Sequence, residues 1–409
     1  MLLNPTDKLL LSALLPTEAS RERTRRLIAE RESEIDWDAF ARRANFHHTS
    51  ALARFNFAMA GLADALPSQF RSEIDEISRV WAARHLAYVS ETARLVAALG
   101  DAGIVALPLK GAALMLGGYY PQAGLRAALD IDLLVDPEWL ALAEQVAQDC
   151  GYGEIPGRRD VRPRQRLENE RNHSWPRRGP GGLILELHHR AFHFAKGGRD
   201  LGFDELLARA IRRQRDDLPS LLLPAPPDLA LHLVHHTIVD LQSSHAILRA
   251  LADLHFIFAR EPQAREEMEE QARRFGFAGA AQSSVRVLRL LEEGTMNQLD
   301  EAAQDGEVAL LLETALMESP GAMAEAARLF EYFDFSRRPF RRLGNLVALL
   351  FTSRSHLEYL YGEPKRGSVY LSYLRRPFDL MKKFNWRSLS PATLRRVRKL
   401  RRMSLNKSN

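Results

Sequence analysis

The amino-acid sequence predicts an α+β protein: a small mixed β-sheet core embedded between N- and C-terminal α-helical regions. Three observations carry this expectation. Apolar residues recur at three- and four-residue spacing through the first hundred residues and again beyond Leu201. Between those regions lie three short apolar runs of strand length, 104–109, 129–135 and 183–188. The cluster Gly179-Pro180-Gly181-Gly182, just before the last run, reads as a hairpin turn. A hairpin and a mixed element order suit a mixed sheet, not a doubly wound parallel one.

Taken in order, residues 37–67 show helical periodicity closed by Pro67, and a second long helix is expected over 74–99, ending at Gly100 or Gly103. The run 104–109 is a buried strand, 111–116 a short helix and 129–135 a second strand. A helix over 137–150 starts with proline at its first position and closes at Gly151. A basic loop, 158–166, precedes two more strands, 171–175 and 183–188. Pro224, Pro226 and Pro227 mark a linker, after which Asp228 is expected to cap a helix through Asp240. Another helix follows over 245–260, and helical texture continues with breaks near 319–321, 334–339 and 362–367. These changes divide the chain into an N-terminal helical region (1–85), an α/β core (86–200), a helical domain (201–330) and a C-terminal helical region with a basic tail (331–409).

Composition limits the function classes. With 409 residues there is room for more than one domain, and an apolar fraction of 46% is ordinary for a globular chain. The single cysteine, Cys150, excludes an intramolecular disulfide and a cysteine zinc cluster. The start lacks a basic n-region and no charge-free run reaches spanning length, so a cytoplasmic protein without a transmembrane segment is expected. P-loop, G-x-S-x-G, Rossmann and kinase H-R-D patterns are absent from the sequence. From Leu380 onward ten lysines and arginines occur without an acid, against a net charge of +5 for the whole chain. Such a tail is either solvated or a contact for an anionic partner such as nucleic acid. The thin stripe Leu394, Val397 and Leu400 suggests a helix separable from the core.

The chemistry is expected at Asp130-Ile131-Asp132. These acids interrupt an apolar run, and in a strand both point to one face. Two adjacent carboxylates raise each other's pKa and call for a counter-charge. A divalent cation, Mg²⁺ or alternatively Mn²⁺, is the usual remedy, because it takes carboxylates together with substrate phosphates. Glu186 sits in L-I-L-E-L-H-H-R with the parity that joins Ile184, Glu186 and His188 on one face. A D-x-D pair plus one further acid on a neighbouring strand is what metal-assisted nucleotidyl transfer needs. Lys110-Gly111, between strand and helix, suits a phosphate: the glycine allows close approach and the lysine adds charge. Arg126 would contact a triphosphate or neutralise the acids, and His188 would line the site. His232 and His236 have metal-ligand spacing, yet a packed helix face explains them as well. Asn172, His173 and Trp175 fall on a candidate sheet strand, where Trp175 is read as packing.

The succession L-K-G-A-A-L, Y-Y, R-x₃-D-I-D-L-L-V, a helix ending in G-Y, and L-E-L-H-H-R resembles the bacterial uncharacterised nucleotidyltransferase family of the DNA polymerase β-like superfamily. The similarity is strongest over 90–190. The resemblance implies that Asp130 and Asp132 hold metal, that Glu186 is the third acid, and that Lys110-Gly111 takes the place of the phosphate turn. It further implies a helical domain that closes over the nucleotide, bringing His235 or Asp253 near the cleft. Ala112 departs from the superfamily, which commonly has serine after the glycine. The expected function is Mg²⁺-dependent transfer of an NMP group from an NTP to a hydroxyl or phosphate of a small molecule or peptide. The alternatives are a catalytically weakened nucleotide-binding or scaffold protein, which Ala112 favours, and a nucleic-acid-modifying nucleotidyltransferase, which only the basic tail favours.

Overall fold

The computed structural model describes residues 3–155, 174, 176–192, 201–214, 221–239, 247–304, 306–316, 373–375, 377–378 and 391–405. Five helices precede the sheet: α1 (Pro5–Ser12), α2 (Glu18–Arg31), α3 (Trp37–Phe46), α4 (Ser50–Met59) and α5 (Ser68–Asp101). The helical stretch expected over 37–67 is therefore two helices. The chain turns at His48, which takes a left-handed backbone with φ +55°, so no continuous helix passes through it. Trp37, Phe40, Phe57 and Phe70 bind α3, α4 and α5 together, with ring centroids 6.4 Å apart or closer. The 34-residue α5 runs from this aromatic cluster to the sheet. Gly124 locks the loop before the second strand against α5: its φ is +84°, and a Cβ there would lie 2.6 Å from the Ala82 backbone.

The sheet contains β1 (Ala106–Pro108), β2 (Asp130–Val135), β3 (Gly153–Glu154), β4 (Arg177–Arg178) and β5 (Ile184–His188), in the order β1-β2-β5-β4-β3. Only β2 and β5 are parallel. The β4–β5 hairpin turns through Pro180–Gly182, as the glycine cluster predicts. Of the strand expected over 171–175, only Ser174 is described; its N–H donates to Leu187 O at 2.7 Å. Helix α6 (Lys110–Leu116) connects β1 to the loop before β2, and α7 (Leu140–Asp149) covers β5. Pro137 starts a single 3₁₀ turn rather than the helix itself, with the Asp136 carboxylate accepting from Glu138 N–H. Ile131, Leu133, Leu185 and Leu187 form the fully buried face of the central strands.

Beyond the sheet come α8 (Phe203–Arg209), a short hairpin of β6 (Ile211–Arg212) and β7 (Leu222–Leu223), and α9 (Pro226–Val234), which continues as a π-helical turn over His235–Val239. Then follow α10 (Ile247–Arg260), α11 (Ala264–Phe275), α12 (Ala278–Glu293), α13 (Met296–Ala302), α14 (Gly306–Ala315) and α15 (Pro391–Leu405). Two expectations change here. Asp228 is not a helix cap: α9 starts at Pro226, and the buried Asp228 accepts two bonds from Arg209, at 2.9 and 2.8 Å. The tail helix, expected to be separable, is docked on the core. Val397 and Leu400 of α15 are fully buried against α12 and α14, and Arg396 pairs with Glu313 at 2.9 Å. One apolar core runs from Leu3 to Leu400. The basic loop 158–166, the residues Asn172, His173 and Trp175, and the three helix breaks beyond 316 lie outside the described residues. Among the described residues no helix is long and apolar enough to cross a membrane.

Candidate active site

The parallel pairing of β2 with β5 builds the site. Its register sets Asp130 beside Ile184 and Asp132 beside Glu186. Side chains two apart share a face, so Asp130, Asp132, Ile184, Glu186 and His188 all project to the side opposite the leucine core. The strand's apolar flanks then bury Asp132 to 1% exposure and His188 to 1%, while Asp130 and Glu186 stay partly open.

Three of these groups come together. His188 Nε2 lies 2.9 Å from Asp132 Oδ1 and 3.9 Å from Glu186 Oε2. One ligand atom from each of Asp132, Glu186 and His188 fits within a 4.8 Å cluster. Asp130 is not part of that cluster, although Asp132 acts on it electrostatically: burial first, then the Asp132 charge, pushes the Asp130 carboxyl above its ordinary value.

Lys110 supplies the counter-charge. Leu109 N–H donates to Asp132 O at 2.9 Å, extending the β1–β2 ladder by one residue. The next residue, Lys110, then turns into α6 with φ +46°, a conformation that costs about 1–3 kcal/mol for a residue with a Cβ. The Lys110 ammonium donates to Asp132 Oδ1 at 2.7 Å, with 9% of its side chain exposed. Burial opposes its charge, but Asp132, Asp130 and Glu186 together hold its pKa above the ordinary lysine value. Gly111 sits in a tight place: a Cβ would meet Ala128 Cβ at 3.2 Å and Arg126 Nη1 at 3.4 Å, so a larger residue would push on both side chains. Ala112 is completely buried in α6.

The helices after the sheet close the other wall. Arg126 does not reach the aspartates by a hydrogen bond; it is bound side-on by Asp253 of α10, Nε to Oδ1 at 2.8 Å and Nη2 to Oδ2 at 3.0 Å. Tyr120 donates to the same Oδ1 at 2.5 Å and packs at a tilt against Phe256, and Arg126 Nη1 also donates to Ala127 O. Burial opposes the Arg126 charge, and Asp253 outweighs it, so the guanidinium is held more firmly protonated than usual. One turn earlier on α10, Arg249 donates to Ala127 O at 3.5 Å. Burial, then repulsion from Arg126, lowers its pKa to about 10. No carboxylate among the described residues forms a salt bridge with it. A cation in that state is suited to an incoming anion, and no local pattern in the sequence marked it.

Helix α9 packs on α6 and carries His232 to the site. The His232 ring stands edge-on to His188, with centroids 6.5 Å apart. It is 3% exposed. Burial, then Lys110 and His188, keeps its pKa well below the ordinary histidine value, and the same causes act on His236. His235 turns away and stacks on Phe192. Asp253 thus meets the region before β2 through Arg126.

The arrangement is a cluster of two acids and an imidazole whose ligand atoms are close enough to hold a cation, a buried lysine at the strand-to-helix turn, and, on the facing helix, an arginine with no salt-bridge carboxylate among the described residues. Such a site can hold a polyphosphate and offset its charge. No curated protein and no solved structure matches the chain. A family model described as uncharacterised nucleotidyltransferase matches residues 33–292, a span that holds every site residue named above, and the chain belongs to that family.

Proposed function

We propose that this nucleotidyltransferase moves an NMP group from an NTP to a hydroxyl or phosphate of a small molecule or peptide, releasing pyrophosphate. The observation that carries the reading is the register of Asp132 beside Glu186 on parallel strands, with Lys110 Nζ 2.7 Å from Asp132. The acids and the imidazole fit a divalent cation: their ligand atoms lie within 4.8 Å of one another. Asp132 and Glu186 would hold the divalent cation beside His188, with Asp130 on the same strand face but outside that cluster; when bound the ion offsets phosphate charge and activates the acceptor oxygen. Lys110 and Arg249 bind the polyphosphate from opposite walls. Arg126, fixed by Asp253 and Tyr120, holds the Gly111 turn in shape. Glu186, the most open of the clustered acids, faces the acceptor and takes its proton.

The test is transfer of label from α-³²P-NTPs, with pyrophosphate release, by the whole chain in the presence of Mg²⁺ and candidate acceptors. Asp132→Asn should abolish both. Label transfer that survives Asp132→Asn refutes the reading.

A second reading, a nucleotide binder without turnover, is favoured by the buried Ala112, which offers no phosphate-binding hydroxyl. It requires an NTP-dependent rise in melting temperature with no pyrophosphate release. The nucleic-acid reading still rests on the basic tail alone: α15 docks on the core through Val397 and Leu400 and leaves Arg395, Arg398, Lys399 and Arg402 exposed.

A further inference from the structure

We infer that the cluster is a mixed histidine–carboxylate site selective for a first-row transition ion over Mg²⁺, with His188 and His232 as nitrogen donors beside Asp132 and Glu186. The inference deepens the nucleotidyl-transfer reading and rests on it for the site's use, but not for the ion's binding.

Two independent observations carry it. The first is the donor set. His188 Nε2 sits 2.9 Å from Asp132 Oδ1 and 3.9 Å from Glu186 Oε2, spacings that donors around one ion adopt. Mg²⁺ takes oxygen ligands and gives up water reluctantly, whereas imidazole suits Zn²⁺, Co²⁺ and their neighbours. A site built for Mg²⁺ has no use for a buried imidazole within ligand distance of both acids.

The second observation is His232. It is 3% exposed, and neither Nδ1 nor Nε2 has a hydrogen-bond partner among the described residues. Buried polar atoms in native proteins are nearly always satisfied, so two orphaned nitrogens on one ring indicate a missing ligand. The ring stands edge-on to His188 with centroids 6.5 Å apart, outside the 4.8 Å cluster of Asp132, Glu186 and His188, and it feels the charges of Lys110 and Asp132. A cation shared with His188 would satisfy it.

Lys110 is then a competitor. Its ammonium already occupies Asp132 Oδ1 at 2.7 Å, so an entering ion must displace it. Displaced, the lysine is available to the phosphates. Ion and lysine therefore exchange places on one carboxylate oxygen.

The experiment is titration of the metal-free whole chain with Co²⁺, without nucleotide, followed by visible absorption and calorimetry, and repeated with Mg²⁺. Expected are a ligand-field band, Co²⁺ affinity at least tenfold above that for Mg²⁺, a loss of at least tenfold in His232→Gln and in His188→Gln, and a gain in Lys110→Met. Circular dichroism of each variant checks that the fold is kept. If a histidine variant does not fold, the wild-type band and the Lys110→Met gain decide. Equal affinity for Co²⁺ and Mg²⁺, or Co²⁺ binding unchanged by His232→Gln, overturns the inference. In that event Mg²⁺-supported label transfer would still sustain the proposed function. Tight Co²⁺ binding without label transfer by any ion would overturn the function and leave the metal site standing.

Discussion

Asp130 and Asp132 occupy the same strand face, yet replacing each by asparagine is expected to move stability in opposite directions. Asp132 is 1% exposed and accepts from Lys110 at 2.7 Å and from His188 at 2.9 Å. Asp132→Asn leaves the Lys110 ammonium buried without its hydrogen-bonded carboxylate. Removing one partner of a buried pair costs about 3–5 kcal/mol. Asp130 and Glu186 still act on the lysine, which puts the loss at the lower end, about 3 kcal/mol. At about 2.1 cal/mol/K of unfolding entropy per residue over the 409 residues of this chain, that is a fall in Tm of about 3–4 °C. Asp130 is the reverse case. Its carboxyl has a raised pKa through burial and the Asp132 charge, so its ionised form opposes folding at neutral pH. A raised acid pKa means that the native state binds the proton more tightly than the unfolded state does. The penalty is absent below the ordinary aspartate value of 3.8, grows as pH rises toward the native pKa, and is complete above it. Asp130→Asn should therefore raise Tm in metal-free buffer at neutral pH, and the gain should shrink as pH falls. The assay is thermal unfolding with a chelator present at several pH values, wild type against both variants. If Asp132→Asn is as stable as wild type, or Asp130→Asn lowers Tm at neutral pH, the assignment of Asp132 as the lysine's partner and Asp130 as the crowded acid is wrong.

Other expectations follow from the facing helices. Arg249→Met should raise KM for NTP about tenfold or more, the loss of a charge-assisted bond of roughly 1.5–3 kcal/mol, with little loss of stability because repulsion from Arg126 is relieved; an unchanged KM would remove Arg249 from the phosphate site. Asp253→Asn should cost about 3–5 kcal/mol in urea unfolding, since Arg126 is buried against it, and the double change Arg126→Met with Asp253→Leu should recover part of that; a loss in the double variant equal to the sum of the Arg126→Met and Asp253→Leu losses would argue that the pair is not coupled. Leu400→Ala should cost about 2–5 kcal/mol, because that side chain is fully buried under α12 and α14; a neutral result would restore the detachable tail.

The part of the site that was legible in the sequence is the part with local periodicity. Two acids in an apolar run fix their own parity, and Leu185 and Leu187 fix that of Glu186, so the pairing of Asp132 with Glu186 needed only adjacent strands. The same alternation placed His188 on the site face. What was not legible depends on distance along the chain. Arg126 meets an acid 127 residues away, and Arg249 lies against Ala127 122 residues away. Neither contact leaves a spacing signature near its own residue, so a bare arginine before D-x-D was read as a phosphate ligand when its carboxylate lay on a later helix. The α9 start was misread for a related reason. Asp228 looks like a cap by residue type, but Pro226 and Pro227 already supply the fixed φ of a first helical turn, and the carboxylate is used by Arg209. The docking of the tail helix was not legible because three apolar residues among arginines give a weak pattern, while burial depends on the partner surface they find.

The left-handed backbone at Lys110 links the fold to the chemistry. A lysine entering a helix with φ +46° is strained, and a glycine at that position would not be. The strain is sustained because both sides of the turn are fixed. On one side Leu109 is hydrogen-bonded to Asp132 through the strand ladder. On the other, Gly111 faces Ala128 and the Arg126 guanidinium that Asp253 holds, with little room for a side chain between them. The Arg126–Asp253 pair therefore acts on the site at one remove: it holds the turn that aims the lysine. The consequence separates two kinds of damage. Lys110→Gly should relax the turn and remove the charge, giving a chain that loses nucleotide binding while its backbone strain falls. Asp253→Asn should keep the lysine but loosen its aim, so nucleotide binding should weaken even though Asp253 touches no phosphate. Binding of an NTP by Asp253→Asn, measured by calorimetry under conditions where the variant is fully folded, decides the matter. Wild-type affinity in that variant would mean that the strain at Lys110 is held by β1 and β2 alone.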